Sequence, residues 1–160
     1  PESLEYIGAQ NFQSVKHIIH LKSVPKRFVI AITGSSFMRS FYEDPMQNMI
    51  ILDIDGKQLY MPRTLKLGTE HLVQKILHDK IEDSYGIMFL YANSGRCKLV
   101  VAAMSYIAGN RNAKLVKFVE ENEKAISNTL LAYGHIKELS EFIQTGFVSH
   151  RTLSLMLKAL

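Results

Sequence analysis

Apolar residues recur at the spacings of both strands and helices up to residue 95, and only at the spacing of helices after it. In the first part, apolar stripes at helical spacing predict helices over 11–21 and 69–82. Runs that are apolar or rich in β-branched residues, bounded by turn-forming residues, predict strands, and these cover 27–33, 48–54, 57–61 and 86–91. The pattern predicts a small mixed or antiparallel sheet with covering helices.

The clearest local signal is the pair Asp55-Gly56, which separates two of these runs. Both residues tolerate a positive φ, which the two-residue turn of a β-hairpin requires. We therefore expect 48–54 and 57–61 to form one hairpin. The run 86–91 is apolar throughout, which favours a central strand of the sheet.

From residue 96 onward the apolar spacing is helical and no strand pattern returns. Helices as short as these do not stand alone in water, so they must pack on one another. The sequence thus predicts an α+β fold with an α+β domain over 1–95 and a packed array of short antiparallel helical hairpins over 96–160. Beyond a first helix, the predicted segments are 113–121, 124–133, 135–145 and 149–160, with breaks at Asn122, Gly134 and Gly146.

A weak internal repeat lies within this helical region. Residues 114–122 align with residues 138–146 at an offset of 24 positions. Leu115, Phe118, Val119 and Asn122 recur in the second copy as Leu139, Phe142, Ile143 and Gly146. A recurring helical unit is typical of a solenoid, in which each unit buries its apolar face against its neighbour.

Tyr133-Gly134-His135-Ile136-Lys137-Glu138-Leu139, followed by Phe142 to Gly146, resembles the Gly-His turn and second helix of an ankyrin repeat. The resemblance covers 129–148, and no family is recognised for 1–95. It implies that Gly134, His135 and Gly146 have a structural role in the turns. It also implies a protein-binding surface rather than a catalytic one.

The composition is that of a globular protein, with 47% hydrophobic and 21% charged residues. The net charge is +4, but basic residues are spread over both halves and form no run interleaved with aromatics, so we expect no nucleic-acid partner. No apolar run approaches the length of a membrane span, so we expect no membrane insertion. The chain begins with Pro and has an apolar end, and we expect it to be a fragment of a larger protein without a targeting signal.

Cys97 is the single cysteine, which favours a reducing, cytoplasmic compartment. It follows Arg96 at the predicted start of a helix, where the helix dipole and the guanidinium would both favour the thiolate. A hydrolase could use this thiol with a histidine base, and the conceivable bases are His71, His78, His135 and His150. A packed side chain is the more common role of a lone cysteine at such a position.

Residues 50–56 resemble the first motif of haloacid-dehalogenase-type phosphotransferases, in which a strand ends in Asp-x-Asp-Gly. The resemblance implies that Asp53 is the nucleophile and Asp55 the acid-base group, with a magnesium ion. Lys57 stands where that family has Thr, and the segment after it is itself strand-like. The competing explanation, which we favour, is the hairpin turn.

Two further patterns suggest binding sites. Residues 32–36 could form a phosphate-binding turn, but an ordinary strand-ending turn is the explanation that we favour. His17 and His20 lie three residues apart on a predicted helix and could share a metal, but nothing supplies a third ligand and solvated histidines are the simpler explanation. We expect neither a cofactor nor a metal.

These observations favour a non-enzymatic protein-protein interaction module, from a larger intracellular scaffold or a host-directed effector protein. Its location would be cytoplasmic, or the host cytosol for an effector. The alternative is a hydrolase with Cys97 and a histidine, or an Asp53/Asp55 magnesium-dependent phosphotransferase.

Overall fold

The computed structural model describes residues 18–25, 28, 43–146 and 148–159. It contains a three-stranded mixed sheet in the order β1-β2-β3. Strand β1 (Ile18–Leu21) runs parallel to β2 (Met49–Ile54), with Ile18 opposite Ile51. Strand β3 (Lys57–Pro62) runs antiparallel to β2. The α+β class and the mixed sheet are confirmed.

The hairpin between β2 and β3 is also confirmed. Asp55 and Gly56 have φ values of 50° and 86°, as a turn matched to the right-handed twist of the two strands requires. Leu52 and Leu59 lie opposite each other and are fully buried. The turn and the apolar pair therefore set the same register.

The helix predicted over 11–21 is wrong at its end, because Ile18–Leu21 is strand β1. The apolar spacing of this segment is compatible with a helix and with a strand. It forms a strand because its backbone pairs with that of β2, and no local residue pattern indicates this pairing. Residues 11–17 lie outside the described residues. So does the predicted strand 27–33, apart from Phe28, whose side chain is buried and whose N–H donates to the carbonyl of Pro25 at 3.2 Å.

The strand predicted over 86–91 is wrong. Met88–Tyr91 forms a short 3₁₀ helix instead. Gly86, just before this helix, has a φ of 84°. Met88 and Phe89 are nevertheless 0% and 1% exposed. An apolar run indicates burial without specifying the element that achieves it.

The helices follow the remaining predictions closely. Helix α1 (Glu70–Asp79) and the single turn α2 (Ile81–Ser84) fill the segment predicted over 69–82. A short 3₁₀ helix, Pro45–Asn48, precedes β2. The C-terminal helices are α3 (Gly95–Ile107), α4 (Ala113–Ala132), α5 (Ile136–Gln144) and α6 (His150–Ala159).

Helix α4 is kinked where the sequence predicts a break. Asn122 has the non-helical angles φ −123° and ψ 15°. Its side-chain amide donates to the carbonyl of Phe118 at 2.8 Å. A side chain that bonds its own backbone in this way competes with the helical ladder, so one long helix becomes two arms.

Two clusters of buried apolar residues hold the fold together. One lies between the hairpin and α1 and contains Leu52, Leu59 and Val73. The other begins at Met49 in β2 and continues through α3, α4 and α5 to Met156 in α6. The second cluster contains residues from both sides of position 95, so the sheet and the C-terminal helices share a core.

Candidate functional site

Cys97 lies in the first turn of α3, as predicted, but its environment opposes the thiolate. Its side chain is 2% exposed, and its Sγ donates to the backbone carbonyl of Asn48 at 3.3 Å. Burial raises the pKa of this thiol to about 12. The predicted direction of the shift is therefore wrong, because the loss of solvation outweighs the helix dipole.

Arg96 does not compensate for this burial. Its guanidinium donates to the hydroxyl of Tyr133 at 2.8 Å, so it links α3 to the end of α4. The hydroxyl of Ser94 caps α3 by accepting from the N–H of Cys97 at 3.2 Å. This geometry gives Cys97 a packing role and does not favour the thiol hydrolase.

The two aspartates of the hairpin have different surroundings. Asp53 accepts a hydrogen bond from the N–H of Gly56 at 2.8 Å, and its other oxygen lies 3.4 Å from Nδ1 of His20. Asp55 is exposed in the turn itself. The competing hairpin explanation is thus confirmed, and Asp53 stabilises the turn that follows it.

The suggested metal and phosphate sites fall partly outside the described residues. His17 and residues 32–36 belong to the ranges that the structure leaves undescribed. His20 contacts Asp53 and is 75% exposed at its side chain. Among the residues that the structure does describe, no group of three or more His, Cys, Asp or Glu side chains could hold a metal ion.

The predicted turn residues connect the helices as the pattern suggests. Gly134 and Gly146 follow α4 and α5 with φ values of 74° and 78°, a backbone conformation that favours glycine at a helix end. The N–H of His135 donates to the carbonyl of Leu130 at 2.9 Å. These contacts are local and could be expected from the sequence.

His135 also makes a contact that the sequence does not predict. Its Nε2 lies 2.7 Å from an oxygen of Asp44, which is 91 residues earlier in the chain. The other oxygen of Asp44 accepts from the N–H of Met46 at 2.9 Å and caps the 3₁₀ helix before β2. The side chains are only 23% and 22% exposed, so this pair ties the α4–α5 turn to the start of the sheet.

We expect the replacement of Asp44 and His135 by Ala, singly and together, to reveal a coupling of about 1 kcal/mol in the free energy of unfolding. The cap that Asp44 also provides cancels in such a double-mutant cycle. Denaturant unfolding followed by circular dichroism measures the effect. The same cycle on the exposed pair Lys137 and Glu141, whose charged atoms lie 3.9 Å apart, should show no measurable coupling. Equal coupling in both cycles would contradict the assignment.

A polar cleft of about 400 Å³ lies beside the start of α3. Its lining includes Asn93, Ser94 and Arg96, but also the carboxylate of Glu43. That negative charge opposes the anion that a helix N-terminus would attract. The lining of this cleft therefore combines one acidic and one basic side chain with neutral polar ones.

An apolar groove of about 430 Å³ lies between α5 and α6. Its lining ranges from Leu139 and Met156, which are 5% and 6% exposed, to Ile136 and Leu157, which are 54% and 72% exposed. Ser140 and Gln144 are its polar lining residues, so most of this surface is hydrocarbon. We refer to it as the α5–α6 groove.

The α5–α6 groove was missed by sequence reasoning, although a signal was present. Met156 and Leu157 lie three and four positions after Leu153 in α6, so the three share one face of the helix, and all three line the groove. Apolar side chains that remain exposed on a helix of this kind indicate a contact surface.

No helix within the described ranges is long and apolar enough to cross a membrane. Comparisons of the chain with protein-family models, with curated proteins and with solved structures found no match. The resemblance to ankyrin-type repeats over 129–148 thus remains a prediction.

Proposed function

We propose that this chain is a non-enzymatic protein-protein interaction module and that the α5–α6 groove is its contact surface. The observation that carries the proposal is the open apolar groove itself. Ile136 and Leu157 are large apolar side chains, and both keep more than half of their surface in solvent. Burying them against a partner would release the ordered water around them, which favours association.

The buried residues of the groove indicate that the site is already formed before a partner binds. Leu139 and Met156 belong to the buried cluster that extends to the sheet, and they also line the groove. Side chains fixed in a core lose little conformational entropy on binding. The volume of about 430 Å³ falls within the roughly 300–1,000 Å³ typical of ligand pockets, which is enough for a few side chains of a partner.

Ser140 and Gln144 could supply the polar contacts that give such a site specificity. Both line the groove and both are exposed. A hydroxyl and an amide beside an apolar surface can hydrogen-bond a partner's backbone or side chains without burying a charge. This arrangement suits recognition of a protein segment.

The proposal includes a reducing environment such as the cytoplasm, in a larger intracellular scaffold or a host-directed effector. The buried thiol of Cys97 supports a reducing environment, because this cysteine is packed in the protein as a free, neutral thiol. The ankyrin-like turn around Gly134 and His135 points to the same class of interaction protein.

A photo-crosslinking amino acid in place of Gln144 tests the proposed contact surface. The matched control carries the same amino acid in place of Leu67, which is 93% exposed and does not line the groove. We expect the chain labelled at position 144 to form discrete crosslinked adducts with a partner protein, which mass spectrometry identifies. The chain labelled at position 67 should form none of these adducts. The same adducts from both positions, or none from position 144, would remove the groove as the contact surface.

A further inference from the structure

Helix α6 packs against α4 through a narrow face. Of its side chains that the structure describes, Thr152 and Met156 are the buried ones, at 4% and 6% exposure. They lie four positions apart and so share one side of the helix. Helix α4, by comparison, buries five of its residues. A helix of ten residues is not stable alone in water, so α6 depends on this narrow contact for its helical structure.

Glu123 of α4 holds the N-terminal end of α6. One of its carboxylate oxygens accepts from the N–H of Ser149 at 2.8 Å, and the other accepts from the hydroxyl of Thr152 at 3.2 Å. The hydroxyl of Ser149 in turn accepts from the N–H of Thr152 at 3.2 Å. Ser149 and Glu123 therefore cap the first turn together, and the carboxylate places a negative charge at the positive end of the helix dipole.

The position of Glu123 explains how α4 reaches the end of α6. Glu123 directly follows Asn122, the residue at which α4 is kinked. It is the first residue of the second arm of α4, and it lies 26 positions before Ser149. The attachment of α6 thus combines one capping carboxylate at its start with the buried side chains of Thr152 and Met156 further along.

Helix α6 also forms one wall of the α5–α6 groove. Leu153, Met156 and Leu157 line the groove from α6, and its other lining residues belong to α4 and α5. If α6 leaves its position, the lining residues of α5 remain on an open surface, and the enclosed volume of about 430 Å³ is lost. The groove therefore exists only while α6 is docked.

We infer that α6 exchanges between the docked helix of this structure, which predominates, and an undocked state, and that the carboxylate of Glu123 sets this equilibrium. The inference rests on the proposed function for the role of the groove and adds the regulation of that site. Because the undocked state lacks the groove, the apparent affinity for a partner is proportional to the docked fraction. Loss of the carboxylate at position 123 shifts the equilibrium toward the undocked state.

Hydrogen exchange followed by mass spectrometry tests the docking equilibrium on the complete 160-residue chain. The unmodified chain is compared with Glu123→Ala and with the matched control Glu120→Ala. Glu120 is an exposed residue of the same helix, three positions earlier, so both variants remove one glutamate from α4. Circular dichroism verifies that both variants fold. If Glu123→Ala does not fold, Glu123→Gln takes its place, because it keeps the shape of the side chain and loses only the charge and one acceptor.

In the unmodified chain, amides of residues 153–159 should be protected but should exchange at least about tenfold faster than those of residues 126–130 in α4, since they open locally. Glu123→Ala should accelerate exchange in α6 by about fivefold or more, as for the loss of a helix cap, and leave β2 and β3 unchanged. Glu120→Ala should leave α6 within about twofold. Exchange of α6 as slow as that of α4, no protection of α6, or an equal effect of both variants would overturn the inference.

A second experiment tests whether the groove needs α6. Ser154 is exposed and does not line the groove, and proline at this position breaks the interior of the helix. Ser154→Pro should abolish the crosslinked adducts from position 144, whereas Ser154→Ala should retain them. Undiminished adducts from Ser154→Pro would overturn the regulation of the groove by α6.

The two experiments also separate this inference from the proposed function. The exchange measurement needs no partner, so a failure of the crosslinking alone removes the proposed function and leaves the docking equilibrium supported. Adducts from position 144 combined with an α6 that exchanges as slowly as α4 would remove the docking equilibrium and leave the interaction module standing.

Discussion

In the folded protein, Cys97 should react with an aromatic disulfide reagent at pH 8 at least a thousandfold more slowly than in the unfolded chain. The thiolate is the reactive species, and a pKa raised from 9.0 to about 12 lowers its fraction by roughly that factor. Burial to 2% exposure also limits access of the reagent. The rate is measured from the absorbance of the released thiol, with and without guanidinium chloride, and Cys97→Ser provides the blank.

The same pKa shift has a consequence for stability at high pH. The pKa of the Cys97 thiol is higher in the folded protein than in the unfolded chain. The contribution of this thiol to the free energy of unfolding is therefore complete below about pH 9 and is lost as the pH rises toward 12. The loss approaches about 1.4 kcal/mol per pH unit in that interval. Cys97→Ala has no ionisable group there and should lose less stability over the same pH range, once the titration of tyrosines and lysines common to both proteins is subtracted.

A fast reaction in the folded state would contradict the packing role of this residue. It would mean that the thiol ionises despite its hydrogen bond to the carbonyl of Asn48, and the hydrolase alternative would then regain support. The histidine that serves as its base would have to be sought next, because His135 already pairs with Asp44.

Local signals account for the parts of the fold that the sequence predicted well. The hairpin follows from Asp55-Gly56, whose backbone conformation is set by the two residues themselves. The interruption of α4 follows from Asn122, whose side chain bonds a carbonyl one turn earlier. In each of these cases the residues that decide the structure lie within four positions of one another.

Two of the predictions that failed depended on residues far apart in the chain. Strand β1 forms because β2, about thirty residues later, offers it a parallel partner. Cys97 is buried against the carbonyl of Asn48, 49 residues earlier, and a single sequence contains no sign of that contact. The His135–Asp44 pair spans 91 residues and was invisible for the same reason.

The α5–α6 groove could not be located from the sequence. The turn residues Gly134 and Gly146 pointed to packed helices and to a protein-binding surface. Periodicity alone does not say which apolar residues stay exposed, because that depends on which neighbours a helix meets. Ile143 and Val119 occupy aligned positions in the repeat, yet Val119 is fully buried and Ile143 only partly.

Replacing Phe142 by Ala should lower the free energy of unfolding by about 3–5 kcal/mol. Phe142 is 0% exposed in the cluster that extends from α5 to Met49 in the sheet, and domains of this size have a total stability of only about 5–15 kcal/mol. Ile136→Ala on the same helix is the control, with an expected loss below about 1 kcal/mol because that side chain is 54% exposed. Urea unfolding followed by circular dichroism gives both values.

Hydrogen exchange of the Phe142→Ala variant then tests whether the shared core makes the chain cooperative. If the cluster that joins Met49 and Tyr60 to α5 acts as one unit, amides of β2 and β3 should lose protection together with those of α4 and α5. A loss confined to the helices would mean that 1–95 and 96–160 unfold separately. Joint loss would mean that the α5–α6 groove is held in shape by the same core as the sheet, so a partner that binds the groove would stabilise the whole chain by mass action.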